Sequence, residues 1–193
     1  MFLNKTKFKK MMKEAYNGGG LKVGRIYDGL VLSSGTWISW TRDEDVPNWL
    51  KGAVMELTGE LPEEGDLFQA SYTDGIQYQI KENPIYDLPS RFRESHFVFT
   101  DTKVTREGIR FFQNNQDRGI IAVNEKFASL IDLKELQGEN PPMGPVSAIE
   151  KGDFLIYKNE ESAFGFGRLN TSNEQTAELM DLLEEIEFKK GER

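Results

Sequence analysis

The sequence contains no cysteine and a single histidine, His96, and these absences exclude several classes of chemistry. Without thiols the chain forms no disulfides, thiolate zinc sites, iron–sulfur clusters or cysteine nucleophiles. One imidazole also excludes metal sites that need a pair of histidines. No segment approaches the roughly 20 apolar residues of a membrane-spanning helix, and residues 1–5 lack the layout of a secretion signal. We therefore expect a cytoplasmic protein with no metal, cofactor or membrane partner.

The composition is that of an ordinary globular protein. The 193 residues are 38% hydrophobic and 29% charged, with a formal net charge of −8. This length is enough to bury a core. We expect one acidic, compact domain over residues 1–193.

Four segments are predicted to be helical from the spacing of their apolar residues. In the first, residues 5–16, Phe8, Met11 and Met12 begin the buried face, and Asn4 is a suitable N-cap. Glycine at positions 18–20 ends this helix and precedes a strand, which is the wrong order for a phosphate-binding loop. The others are about 47–58, a helix capped by Asn124, and a helix from the Ser172-x-x-Gln175 capping box to about Lys189.

Short runs rich in β-forming residues and bounded by turn signals predict strands along the rest of the chain. They lie at 21–26, 30–33, 36–40, 67–72, 76–81, 96–100, 109–113, 119–123, 146–149, 154–157 and 163–169. Residues 82–94 contain two prolines and mixed charge, and are predicted to be a long exposed connection. Trp37 and Trp40 point to opposite faces of a regular strand, so at most one should face the core. The expected fold class is α+β, with a largely antiparallel sheet and four helices.

The order of predicted elements occurs twice. Residues 1–41 and 119–169 each run strand, helix, strand, strand, strand, and residues 42–118 insert a helix and a hairpin between them. Phe2-Leu3-Asn4 and Ala122-Val123-Asn124 are matching strand-to-helix junctions, each followed by an aromatic residue on the buried helical face. We interpret the two segments as half-repeats.

This pattern resembles a domain of the sliding DNA clamps, and residues 121–127 resemble the strand-to-helix junction of the bacterial members. The resemblance implies helices that face DNA through lysines and arginines in an otherwise acidic protein. It also implies replication proteins as partners and homo-oligomeric assembly. Residues 60–65 are similar to a stretch in uncharacterised proteins of phages and mobile elements.

The first helix fits this expectation. Residues 1–25 contain seven basic residues and one acid, Glu14. On a helical wheel, Lys7, Lys10 and Lys13 oppose the apolar stripe, and Lys5 and Lys9 lie at its border. A row of ammonium groups can neutralise successive phosphates of duplex DNA. We therefore predict a non-catalytic accessory protein of DNA metabolism whose DNA-binding residues are Lys5, Lys7, Lys9, Lys10 and Lys13.

Other interpretations remain open. The first helix can be a solvated surface, in which case the chain is a protein–protein interaction module without nucleic-acid binding. A weaker alternative is a Mg²⁺-dependent nuclease in which Asp87 and Asp101 hold the metal and Lys103 assists the attacking water. The acid-x-Lys triplet at Asp101 also occurs at Asp132 and Glu187, close to the number expected by chance. Phe164 and Phe166 have the alternation of an RNA-stacking strand, but such phenylalanines more often fill a core.

Overall fold

In the computed structural model, the strands and helices form an α+β fold around a large antiparallel sheet. The structure describes residues 1–77, 85–132, 138–171 and 173–188. The predicted fold class is therefore confirmed. The end of the predicted strand at 76–81, Ser172 and the C-terminal residues from 189 lie outside the described residues.

Eleven strands in the described residues pair antiparallel throughout. They are β1 Leu21–Ile26, β2 Gly29–Ser33, β3 Trp37–Arg42, β4 Leu67–Ser71, β5 Gly75–Gln77, β6 Phe97–Arg106, β7 Ile109–Asn114, β8 Ile120–Asn124, β9 Met143–Ser147, β10 Phe154–Lys158 and β11 Ser162–Gly167. Their order across the sheet is β5-β4-β1-β2-β3-β11-β10-β9-β6-β7-β8.

The described residues hold five α-helices, one more than the sequence predicted. They are α1 Lys5–Gly18, α2 Asn48–Thr58, α3 Leu88–Arg93, α4 Glu125–Ala128 and α5 Glu174–Glu184, with a 3-10 turn at Asp43–Asp45. The extra helix is α3, so the prediction of an exposed connection at 82–94 is wrong for its described part. Asp87 caps α3 by accepting from the Ser90 amide, and Ile85 and Leu88 are buried against the sheet.

Several boundaries differ from the predicted ones, among them the end of β6, which extends to Arg106 instead of residue 100. The helix capped by Asn124 is a single turn, with the Asn124 side chain accepting from the Lys126 amide. Strand β9 begins at Met143, inside the predicted loop. Helix α5 ends at Glu184, and its N-cap is Asn173, whose side chain accepts from the Gln175 amide.

Both faces of the central strands are covered, which explains the two tryptophans. Trp37 contributes to the main core under α1 and α2, whereas Trp40 lies in a second cluster with Leu88 on the opposite face. They are 2% and 6% exposed. The prediction of opposite faces is correct, but the prediction that at most one of them is core-facing is wrong. A third cluster packs Leu183 of α5 on β7 and β8.

The proposed half-repeats, 1–41 and 119–169, meet in the middle of the sheet. Strand β3 pairs with β11, with Ser39 opposite Phe164, so that β1-β2-β3 and β9-β10-β11 extend outwards on either side. The first segments of the two half-repeats differ in their pairing. Leu3, in the first half-repeat, forms an isolated bridge with Ile131, whereas β8, which begins the second, pairs with β7. The duplication stays a hypothesis.

A glycine in β11 allows an aromatic ring to cover the sheet. A Cβ atom on Gly165 would lie 2.8 Å from Cζ of Phe154 and 3.2 Å from Cδ2 of Leu88. We expect Gly165→Ala to destabilise the protein by about 1–3 kcal/mol, because the ring and α3 must shift.

The measurement is the free energy of unfolding in urea, with Gly52→Ala as the matched control. Gly52 is an exposed position inside α2, and a Cβ atom added there would have no neighbour within 4 Å. This control should be neutral or stabilising by about 0.5–1 kcal/mol, because alanine restricts the unfolded chain and favours helix. Equal effects of the two substitutions would contradict the assigned packing of Phe154.

Candidate nucleic-acid interface

Helix α1 is capped at both ends by residues that were predicted from the sequence to do so. The Asn4 side chain accepts a hydrogen bond from the Lys7 amide at 3.1 Å. Gly19 and Gly20 have φ values of 141° and 121°, a region that residues with a Cβ rarely adopt. The amide of Gly20 donates to the Ala15 carbonyl. The glycines thus end a helix, as expected, instead of forming a phosphate-binding loop.

The predicted buried stripe fixes the rotation of α1 on the sheet. Phe8, Met11 and Met12 are buried, and the Phe8 ring lies edge-on to Trp37, Trp49 and Phe164, with centroids 5.8–6.4 Å away. Because successive residues turn by about 100°, this packing directs the lysines outwards. We call the five lysines of α1 the lysine face: Lys5, Lys7, Lys9, Lys10 and Lys13.

The lysine face is open to solvent and almost free of acids. Lys5, Lys7, Lys10 and Lys13 are exposed and Lys9 is partly buried. Within the described part of the chain, the only carboxylate within 4.0 Å of a lysine of this face is that of Glu14, 4.0 Å from Lys10 Nζ. An exposed ion pair at this distance contributes little and leaves most of the positive charge uncompensated.

Helix α4 lies beside α1 and adds a cation that the sequence argument missed. Lys7 Nζ donates to the Ser129 carbonyl at 3.0 Å, and Lys126 Nζ lies 3.8 Å from Glu14. The Asn4 amide donates to the Leu130 carbonyl. Lys126 is half exposed. The sequence around residue 126 has mixed charge and did not indicate a DNA-binding residue, because only tertiary packing brings Lys126 next to α1.

The charge distribution along α1 works against helix stability. Its first turn contains Lys5 and Lys7 and no acid. The N-terminal end of a helix carries a partial positive charge, so cations there are unfavourable. The buried face holds the helix in place in spite of this repulsion. Charges that oppose local stability are typical of a functional surface.

The acidic C-terminal helix is separate from the lysine face. Leu183 anchors α5 in the cluster on β7 and β8, and Gln113 donates to the Leu183 and Ile186 carbonyls. Glu184 accepts from the Ile120 amide, and Glu187 lies 3.4 Å from Arg118. These contacts hold α5 against β7 and β8, whereas α1 packs on β1 and β4. The lysine face therefore keeps its charge.

The residues of the nuclease alternative do not form a site in the described structure. Lys103 Nζ lies 2.6 Å from Asp101, and Arg110 lies 3.6 Å from the same carboxylate. Asp87 is instead bonded to Ser90 at the start of α3. In the described ranges, no group of three or more potential ligands is placed to hold a metal ion. Asp101 is compensated by two cations, which leaves it poorly suited to bind Mg²⁺.

The alternating phenylalanines of β11 fill the core. Phe164 and Phe166 are fully buried, and Phe166 stacks on Phe127 at 5.7 Å and on Tyr157 at 6.4 Å. They are not available to stack on RNA bases.

Comparisons with known proteins include a distant structural likeness. No protein-family model and no curated protein matches the sequence. The fold is similar to a crystal structure of the DNA polymerase III beta chain from Streptococcus pneumoniae TIGR4, at 11% identity and a TM-score of 0.38. The alignment covers 92% of this chain and 66% of that one. These values assign neither a family nor a function. Among the described helices, none is long and apolar enough to cross a bilayer.

Proposed function

We propose that this protein is a non-catalytic accessory factor of DNA metabolism that holds duplex DNA by its phosphate backbone. The observation that carries the proposal is the lysine face, which presents five lysines on one helix with one carboxylate within 4.0 Å of them in the described structure. Lys126 of α4 enlarges the positive surface. The chain as a whole has a formal net charge of −8, so the charge asymmetry orients the molecule as it approaches DNA.

The proposed mechanism is neutralisation of phosphates without reading of bases. Lysine ammonium groups are point charges on flexible stems and contact phosphates without a fixed geometry. Phosphate contacts position a protein on DNA but carry no sequence information. The proposed contact is therefore independent of sequence. Replication or mobile-element proteins as partners, cytoplasmic localisation and homo-oligomeric assembly stay predictions from the sequence.

The direct test is binding to a labelled duplex of random sequence at several salt concentrations, followed by fluorescence anisotropy. If all five lysines meet phosphates, the slope of log affinity against log salt should be about −4.5. Raising salt fourfold should then weaken binding by about 500-fold. Two duplexes of unrelated sequence should give the same slope.

Absence of binding at low salt would exclude this function. A protein–protein interaction module would then be the remaining candidate. Capture of a defined partner by a protein that does not bind DNA would support it. Metal-dependent nicking of the duplex that is abolished by Asp101→Ala would instead support the nuclease.

A further inference from the structure

The sheet face opposite α1 carries a second group of solvent-accessible cations, and these lie next to aromatic rings. Helix α3 covers this face, with Leu88 buried in the cluster that also contains Ile156 of β10. Phe154 and Lys158 point to the same face as Ile156, because side chains alternate along a strand. Residues of α3 thus lie above both ends of β10.

At one end, an arginine lies over the ring of a tyrosine and forms a cation–π pair with it. The guanidinium carbon of Arg91 lies 4.3 Å from the centroid of the Tyr86 ring. The Phe154 ring supports both, 6.3 Å from Tyr86 and 5.9 Å from Arg91. Tyr86 is 51% exposed. Such a pair is held in place before any ligand arrives.

At the other end lie two further cations, Arg93 of α3 and Lys158 of β10, on elements that pack against each other. Lys158 Nζ donates to the Asn159 carbonyl, and Arg93 donates to Ser90 Oγ, both at 2.8 Å. Neither forms an ion pair within the described ranges. Burial and the nearby Arg93 and Arg42 lower the pKa of Lys158, and the attraction of Glu160 opposes them only partly.

The carboxylates of this region do not cancel these charges. Asp87 is engaged as the cap of α3, accepting from the Ser90 amide and hydroxyl. Arg42 has its own acids, Asp45 at 2.6 Å and Glu44 at 3.2 Å. Glu94 and Glu160 are exposed side chains. In the described ranges neither of them forms an ion pair with Arg93 or Lys158, so both cations keep their charge for an incoming anion.

We propose that this surface, Tyr86, Arg91, Arg93 and Lys158, binds single-stranded nucleic acid. An unpaired base stacks on the Tyr86–Arg91 pair, and backbone phosphates contact Arg93 and Lys158. Aromatic and guanidinium planes combined with cations are what single-strand binding needs. An acidic peptide would use the two cations but leave the Tyr86–Arg91 pair without a planar ligand. The proposal is independent of the lysine face, which lies across the sheet.

The test is binding of a fluorescein-labelled thymidine oligonucleotide by the full chain. Tyr86→Ala should weaken binding by about 5- to 100-fold, because stacking on an aromatic ring is lost. Tyr86→Phe should bind as the unmodified chain does, since the ring face is kept. The matched control is Tyr72→Ala, because Tyr72 is 77% exposed and its amide donates to the Tyr16 carbonyl at the end of α1.

Charge and stacking can be separated with two further variants. Arg93→Gln combined with Lys158→Gln should make the salt slope shallower by about 1.4, the value for two contacts on a single strand. Arg91→Lys keeps the charge but loses the guanidinium plane, and should weaken binding without changing the slope. Both variants change polar side chains, so they report on the surface even if Tyr86→Ala unfolds the chain.

Several results would overturn the proposal. These are no binding of the oligonucleotide at low salt, equal affinity of the Tyr86→Ala and unmodified chains, or loss of binding when the lysine face is replaced by glutamine. Binding of a poly-glutamate peptide in place of the oligonucleotide would assign the surface to an acidic protein partner. Duplex binding without single-strand binding would leave the function of the lysine face intact and reject only this site.

Discussion

Replacing Lys5, Lys7, Lys9, Lys10 and Lys13 together by glutamine should abolish measurable binding to duplex DNA. Each lysine that meets a phosphate releases condensed counterions, so removing five should weaken binding by more than about 100-fold at low salt. The salt slope should also fall towards zero. Glutamine keeps a hydrogen-bond donor near the Ser129 carbonyl that Lys7 contacts. Fluorescence anisotropy with a labelled duplex measures both quantities.

A pair of double variants provides the matched control. Lys10→Gln with Lys13→Gln removes two charges from the lysine face, and Lys103→Gln with Lys151→Gln removes two exposed lysines elsewhere. The first pair should make the slope shallower by about 1.8, and the second should leave it unchanged. Equal effects would show that only the net charge matters and that α1 is not the interface.

Phe8→Ala should have the largest effect on stability. Phe8 is fully buried and lies among Trp37, Trp49 and Phe164, so it joins α1 to α2 and to the sheet. Truncating such a ring leaves a cavity and should cost about 3–5 kcal/mol in the free energy of unfolding. Urea denaturation followed by tryptophan fluorescence measures the loss.

The control for this substitution is Met55→Ala. Met55 lies on α2 and is 50% exposed, so its truncation should change stability by less than about 0.5 kcal/mol. If Phe8→Ala cost no more than this control, Phe8 would not anchor the helix. The orientation of the lysine face would then lose its structural basis.

The helix that carries the candidate interface was predictable from local signals. Phe8, Met11 and Met12 recur at helical spacing, Asn4 is a capping residue, and glycines follow. All of these act within a few residues of one another. The outward direction of the lysines follows from the same spacing, because a buried stripe fixes the rotation of a helix.

Helix α3 was not predictable in the same way. It is only six residues long, and Pro89 in its first turn suggested a loop. Proline is in fact tolerated there, since the first amides of a helix have no internal acceptor. The position of α3 depends on the burial of Ile85 and Leu88 against the sheet. The spacing of neighbouring residues does not predict this burial.

The sequence by itself determined the α+β class, most of the strands, the absence of thiol chemistry and the solvent-facing row of lysines. These properties depend on composition or on the spacing of neighbouring residues. Only the tertiary structure decided that both Trp37 and Trp40 are buried, that Lys126 joins α1, and that Phe154 supports Arg91. Each of these contacts joins different elements that are far apart in the chain. Their geometry is set by how the sheet and helices pack, which no short-range pattern contains.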